Sequence, residues 1–153
     1  MRNYIPDKYA DNKWIWNTTQ AILSTYETMK HDFDTRREEI LHSSPGPPDG
    51  QPKGANDTDS TISKVMQLDS KYLRGLDWRI KAIESALEKM TRVEREFTKQ
   101  YFWEWRTLAQ CNIKRKYKNG NIVESSEGYL SHVKGRVISK VAIELGYIEE
   151  EEK

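Results

Sequence analysis

The sequence predicts an all-α fold, and three observations carry that expectation. Two long stretches repeat apolar residues in alternating steps of four and three. A third, Ser125 to Gly146, reads as one amphipathic helix with a basic upper face. No segment outside Ile113–Val123 shows the turn-bounded alternation of a β-strand.

The first heptad stretch is Ile15, Thr19, Ile22, Tyr26, Met29, Phe33, Arg36 and Ile40, widened by Trp14, Trp16 and Leu23. It predicts a long helix from about residue 11 to 41, with weak helix propensity at Asn17-Thr18-Thr19 marking a bend. Residues 43–60 then concentrate four of the five prolines. Proline removes backbone donors and glycine raises the entropy of the open chain, so this stretch reads as a linker. The second heptad stretch, entered through Asp59, Ser60 and Thr61, is Ile62, Met66, Asp69, Leu73, Leu76, Ile80, Ile83, Leu87 and Met90. The simplest arrangement pairs the two seams with each other, parallel or antiparallel. A second copy of the chain is the other partner such seams accept.

Thr91-Arg92-Val93-Glu94 has the form of a capping box and starts a new helix carrying Val93, Phe97, Tyr101 and Phe102 on one face. Thr107 is a cap for a further helix, expected over 108–118, with Leu108, Cys111 and Ile113 inward. Asn119-Gly120 turns the chain. The alternative is that this Asn-Gly turn joins Ile113–Tyr117 to Ile122–Val123 as a small β-hairpin.

The helix that follows places Tyr129, Leu130, Val133, Val137, Ile138, Val141, Ala142 and Leu145 on one face. Ser131, His132, Lys134, Arg136 and Lys140 fall on the other. Ser125 or Ser126 can N-cap it, and Gly146 suits a left-handed C-terminal cap. The segment boundaries expected are therefore 1–42, 43–60, 61–90 and 91–148, with an acidic tail at 149–153.

Net charge is +1, so a preference for phosphate must come from how charge is distributed. From Tyr101 to Lys140, eight Lys or Arg face three Glu, a local excess of +5. This is an electrostatic footprint for nucleic acid, against which the plain reading is a solvated helix surface. On the helix, Ser131, His132 and Arg136 are the candidates for base edges in the major groove. Lys134, Lys140, Lys114, Arg115, Lys116 and Lys118 are the candidates for phosphates.

Other classes find little support. The single cysteine, Cys111, allows no internal disulfide and suits a reducing, cytoplasmic setting. His31, His42 and His132 lack metal-ligand spacing, so no metal or other cofactor is expected. No glycine-rich phosphate loop follows a strand pattern, and Cys111 has no histidine near it in sequence, so no enzymatic role is expected. MRNYIPDKYADNKWIW lacks the apolar core of a signal peptide, and no run approaches a membrane span, so no membrane partner is expected.

TRVEREFTKQY at 91–101, followed by SSEGYLSHVKGRVISKVAIELGY, resembles the C-terminal half of the ArpU/RinA family of phage and prophage transcriptional regulators. The upstream order is similar too: a helix ending RREEIL, the SSP…DGQPKG linker and a helix ending IKAIESALEKM. The resemblance runs from about Tyr26 to Tyr147 and rests on the order and spacing of four pieces rather than one motif. It implies long heptad-patterned helices followed by a C-terminal helix-turn-helix domain like sigma factor region 4. It also implies double-stranded DNA as partner, activation of late or packaging genes, and the bacterial host cytoplasm as location. Carried over, the recognition helix starts at Ser126 and Glu127, its inward pair is Tyr129 and Leu130, and its basic outer positions are His132, Lys134 and Arg136. KRKYKNGNIVES stands where the family has a short turn, and Gly128 and Gly135 stand where larger polar residues are common. Two alternatives accompany this reading: a helical scaffold or packaging protein assembled through its heptads, and a sigma-like factor that binds RNA polymerase.

Overall fold

The computed structural model describes residues 5–42 and 70–150. The linker at 43–60 and the start of the second heptad stretch lie outside these residues. The described chain is mostly helical, with one small two-stranded sheet. It divides into two compact units, residues 1–27 with 81–153, and residues 28–80.

The first long helix is in fact two, α1 (Lys13–Ser24) and α2 (Tyr26–His42). The break falls at Thr25, not at the Asn-Thr-Thr expected from propensity. The Thr25 hydroxyl donates to the carbonyls of Ala21 and Ile22, both at 3.0 Å, and its own N–H reaches the same two oxygens. A side chain that satisfies the last carbonyls of a helix competes with continuation of that helix. The next helix among the described residues, α3 (Lys71–Glu88), has the Ser70 hydroxyl accepting the Leu73 N–H at 3.3 Å.

In the second unit, Met29 and Ile40 of α2 and Leu73, Leu76 and Ile80 of α3 are buried, while Arg36 is exposed and pairs with Glu39 at 3.6 Å. Phe33 of the expected seam is half-buried, and Arg36 lies outside it.

In the first unit the Thr91 capping box forms as the sequence predicts. The Thr91 hydroxyl accepts the Glu94 N–H at 3.2 Å, and the Glu94 carboxylate accepts the Thr91 N–H at 2.9 Å. The helix it starts, α4 (Arg92–Phe97), widens into a π-helix over Thr98–Trp103. The Thr98 hydroxyl bonds the Glu94 carbonyl there, at 2.8 Å.

Helix α5 (Glu127–Glu144) is the centre of this unit. It packs against α1, α4 and a 3-10 turn at Leu108–Gln110. Leu130, Val133, Val137, Ile138, Val141 and Ala142 are fully buried. The N-terminal helix and the C-terminal segment therefore share one core, which linear boundaries at 42, 60 and 90 do not express. Contacts remote in sequence tie it. The Trp103 indole N–H donates to the Leu23 carbonyl at 3.0 Å, and Trp103 stacks on Tyr26. The Tyr9 hydroxyl meets Ser139 at 2.8 Å, with Ser139 donating onward to the Gly135 carbonyl. No helix among the described residues is long and apolar enough to cross a membrane.

The helix expected over 108–118 is not present. Thr107 does cap, but only the single turn Leu108–Gln110, after which Cys111 is extended (φ −70°, ψ 122°). β1 (Lys114–Lys116) and β2 (Ile122–Glu124) follow as an antiparallel hairpin, the alternative the Asn-Gly pair allowed. The reason lies in Gln100, whose side chain accepts the Asn112 N–H at 2.8 Å and donates to the Asn112 carbonyl at 3.2 Å. Both backbone groups a helix would need at Asn112 are thereby taken. The expected order of helix, helix, turn and helix from Thr91 onward becomes helix, single 3-10 turn, hairpin and helix.

Candidate nucleic-acid interface

The hairpin presents most of the predicted cations. Its turn is built from Asn119, whose side chain accepts the Asn121 N–H at 3.0 Å, and from Gly120 at φ +87°, a backbone state that favours glycine. Lys114 pairs with Glu124 in register, Arg115 with Val123, and Lys116 with Ile122. Side chains alternate across a strand, so Lys114, Lys116 and Ile122 share one face and Arg115 and Val123 the other. Lys114, Lys116 and Lys118 are exposed, and none is ion-paired to a carboxylate of the described residues.

Arg115 turns inward. Its guanidinium lies 3.6 Å from the Tyr129 ring centroid and 5.6 Å from that of Tyr117. Arg136 stands 5.8 Å from the same Tyr129 ring. One tyrosine between two arginines thus joins the hairpin to the first half of α5 as a continuous cationic strip.

The predicted residues of α5 separate by environment. Ser126 is the N-cap, accepting the Tyr129 N–H at 3.1 Å, with Glu127 in the first turn where a carboxylate favours the helix dipole. Ser131 is half-buried and donates to the Glu127 carbonyl at 3.1 Å. His132 is exposed, on a ridge with Gly128 and Arg136.

Lys134 corrects the expectation that it faces solvent. It is 7 % exposed, its ammonium donates to the Tyr101 hydroxyl at 2.9 Å, and it lies over the rings of Tyr101 and Trp16. Aromatic faces attract a cation, and α5 is covered on more sides than an amphipathic stripe implies. Lys134 packs into the core rather than standing on the outer face of the helix.

Arg136 and Lys140 are also engaged within the chain. Lys140 reaches Glu94 at 2.5 Å and the Lys89 carbonyl at 3.0 Å, and Arg136 stands 3.5 Å from Glu94. Glu94 is 1 % exposed. Burial pushes its carboxyl upward, but the Lys140 hydrogen bond, the Thr91 N–H and the charges of Lys140 and Arg136 outweigh this and hold it below the ordinary range. A second pair, Lys89 with Glu144, joins the end of α3 to the end of α5, raising the lysine and lowering the carboxylate. Cys111 is buried, and desolvation pushes its thiol up, which disfavours a nucleophilic thiolate.

Sequence reading missed Glu94 as the hub of two predicted cations, because its partners lie more than forty residues away in the chain. It also missed Trp105, 73 % exposed at φ +58° and lining a groove of about 530 Å³ with Tyr101, Phe102, Leu108 and Glu127. Nothing in a local pattern marks a tryptophan for the left-handed region. Among the described residues no group of His, Cys, Asp and Glu is arranged to hold a metal ion.

Gly128 bears on how closely the ridge can be approached. A methyl group there would meet nothing within 4 Å. Gly128→Ala is expected to raise stability by about 0.5–1 kcal/mol, since the folded helix has room and the open chain loses freedom. Thermal melting checks this; a lower midpoint would mean the first turn of α5 is not helical in solution.

Comparison with family models, curated proteins and solved structures finds no match for this chain.

Proposed function

We propose that this chain binds double-stranded DNA and regulates transcription, with the hairpin and the exposed ridge of α5 as its contact face. The observation that carries the reading is the unpaired basic hairpin: Lys114, Lys116 and Lys118 are exposed and lack carboxylate partners among the described residues. Cations left unneutralised on one element attract a polyanion, and binding then releases counterions. Arg115, stacked on Tyr129, ties that element to α5, so phosphate contacts on the hairpin would fix the register of Gly128 and His132 against the duplex. The ArpU/RinA resemblance supports the regulatory role and phage genes as the targets. In the helix-turn-helix form of the reading, α5 is the recognition helix; the buried Lys134 and the tethered Arg136 and Lys140 leave the hairpin with the larger share of phosphate contact.

The test is the salt dependence of duplex binding. Replacing Lys116 and Lys118 together by Ala should reduce the slope of log affinity against log salt by about two units, about one per phosphate contact. Lys134→Ala, if folded, should leave the slope unchanged. Equal slopes for parent and double variant would refute this face.

A further inference from the structure

We infer that the outward face of the hairpin, centred on Ile122, enters the major groove of duplex DNA and reads bases there, with α5 as its support. The inference rests on the DNA-binding reading above and names the element that specifies sequence. Three observations converge. Cross-strand register puts Lys114, Lys116 and Ile122 on the face opposite Arg115, and Arg115 is the residue stacked on α5, so the Ile122 face points away from the protein body. Ile122 is 64 % exposed, the most exposed aliphatic side chain among the large hydrophobics of the described residues, and it sits directly across from Lys116. The hairpin face carries Lys114 and Lys116 against the lone carboxylate of Glu124, so its charge complements a polyanion.

The α5 ridge offers less chemistry to a base. Gly128 has no side chain, and the Arg136 guanidinium is drawn toward Glu94. A two-stranded ribbon matches the width of the major groove, about 12 Å, and enters the minor groove, about 6 Å wide, only where the duplex is deformed. From Arg115 to the turn at Asn119 the hairpin spans about 13 Å at strand rise, enough to reach the groove floor while its base stays docked on Tyr129. In that placement each outward group has a complement. Lys114 donates to guanine O6 and N7 while Lys116 stays on a phosphate, Glu124 accepts from the cytosine amino group, and Ile122 packs against a thymine methyl.

The thymine methyl provides the test. Duplexes would be selected from a random pool with the full chain, and binding remeasured with each thymine replaced singly by uracil, which deletes only the methyl. Uracil at one position should weaken parent binding by about fourfold, the worth of one buried methyl group. Ile122→Ala should weaken thymine DNA by a similar factor and be indifferent to that exchange. Its exposure means the variant keeps its fold, which circular dichroism verifies. A ligand that fills the minor groove, such as netropsin, should not compete. Thymine and uracil duplexes bound alike by the parent, an unchanged thymine preference in Ile122→Ala, displacement by netropsin, or equal affinity for single strands would each overturn the inference. If salt-sensitive duplex binding persists in such a case, the DNA-binding reading survives. If no duplex binds at all, both fall.

Discussion

Ile83→Asp is expected to abolish the cooperative thermal transition of the chain. Ile83 is fully buried on α3, in a row with Ile80, Ala86 and Met90. An aspartate there loses the burial of an isoleucine, about 2–5 kcal/mol for large-to-small replacement, and adds a desolvated carboxyl with no arranged partner. Together these approach the whole stability of a domain, about 5–15 kcal/mol. Trp78→Asp on the same helix is the control. Trp78 is 48 % exposed, so its replacement loses only part of a side chain's burial and leaves the new carboxylate in water, and a cooperative transition is expected to remain. Far-ultraviolet circular dichroism against temperature reads both. An Ile83→Asp protein that melts like the parent would mean α3 does not bury this face in solution.

That seam is the part of the fold most legible in the sequence. Apolar steps of three and four report burial directly, because a helix brings those positions to one side whatever they pack against. Leu73, Leu76, Ile80, Ile83 and Met90 are buried, while Leu87 of the same expected row is half-buried. What the pattern does not report is the partner. The principal neighbours of α1 include α5 and the π-helix, so its row of Ile15, Thr19 and Ile22 belongs to a core assembled from both ends of the chain. Caps were legible for the same local reason: Thr91 with Glu94, Thr107 with Gln110 and Ser126 with Tyr129 each act within one turn. Gly120 and Gly146 both stand at positive φ, at the turn and helix end assigned to them.

The illegible parts depend on distant side chains. Residues 108–118 combine good helix formers with a capping threonine, so propensity favours a helix. One glutamine outside the segment, Gln100, claims the backbone of Asn112 and propensity loses. Lys134 lies on a wheel among small and basic residues, and only Trp16 and Tyr101, remote in sequence, explain why its charge is inward. The candidate interface was legible as a charge excess over 101–140. Its shape was not, since the same lysines mean a helix face in one fold and a ribbon in the other.

Replacing Glu94 by Ala is expected to cost about 2–4 kcal/mol. The carboxylate closes the Thr91 capping box, worth about 1 kcal/mol, and holds Lys140 and Arg136 from a nearly dry position. Breaking a fully buried pair costs about 3–5 kcal/mol, but here both cations keep access to water and recover part of their solvation. The acid dependence follows from the sign of the shift. The folded pKa of Glu94 lies below the ordinary value of 4.5, so its stabilisation is fully present above about that pH. It is lost as pH falls from there through the lower folded value. The parent should therefore lose stability through that window more steeply than Glu94→Gln, which keeps an acceptor for the Thr91 N–H but has no charge to titrate. Melting midpoints of both proteins from pH 7 to pH 2 measure the difference; parallel curves would remove Glu94 from the account. The same variant bears on DNA. With Glu94 neutral, Arg136 and Lys140 lose their internal counter-charge while remaining on α5, and each becomes available to a phosphate. The salt slope of duplex binding by Glu94→Gln should then steepen, by up to about two units for two added contacts. An unchanged slope would place the contact face on the hairpin alone.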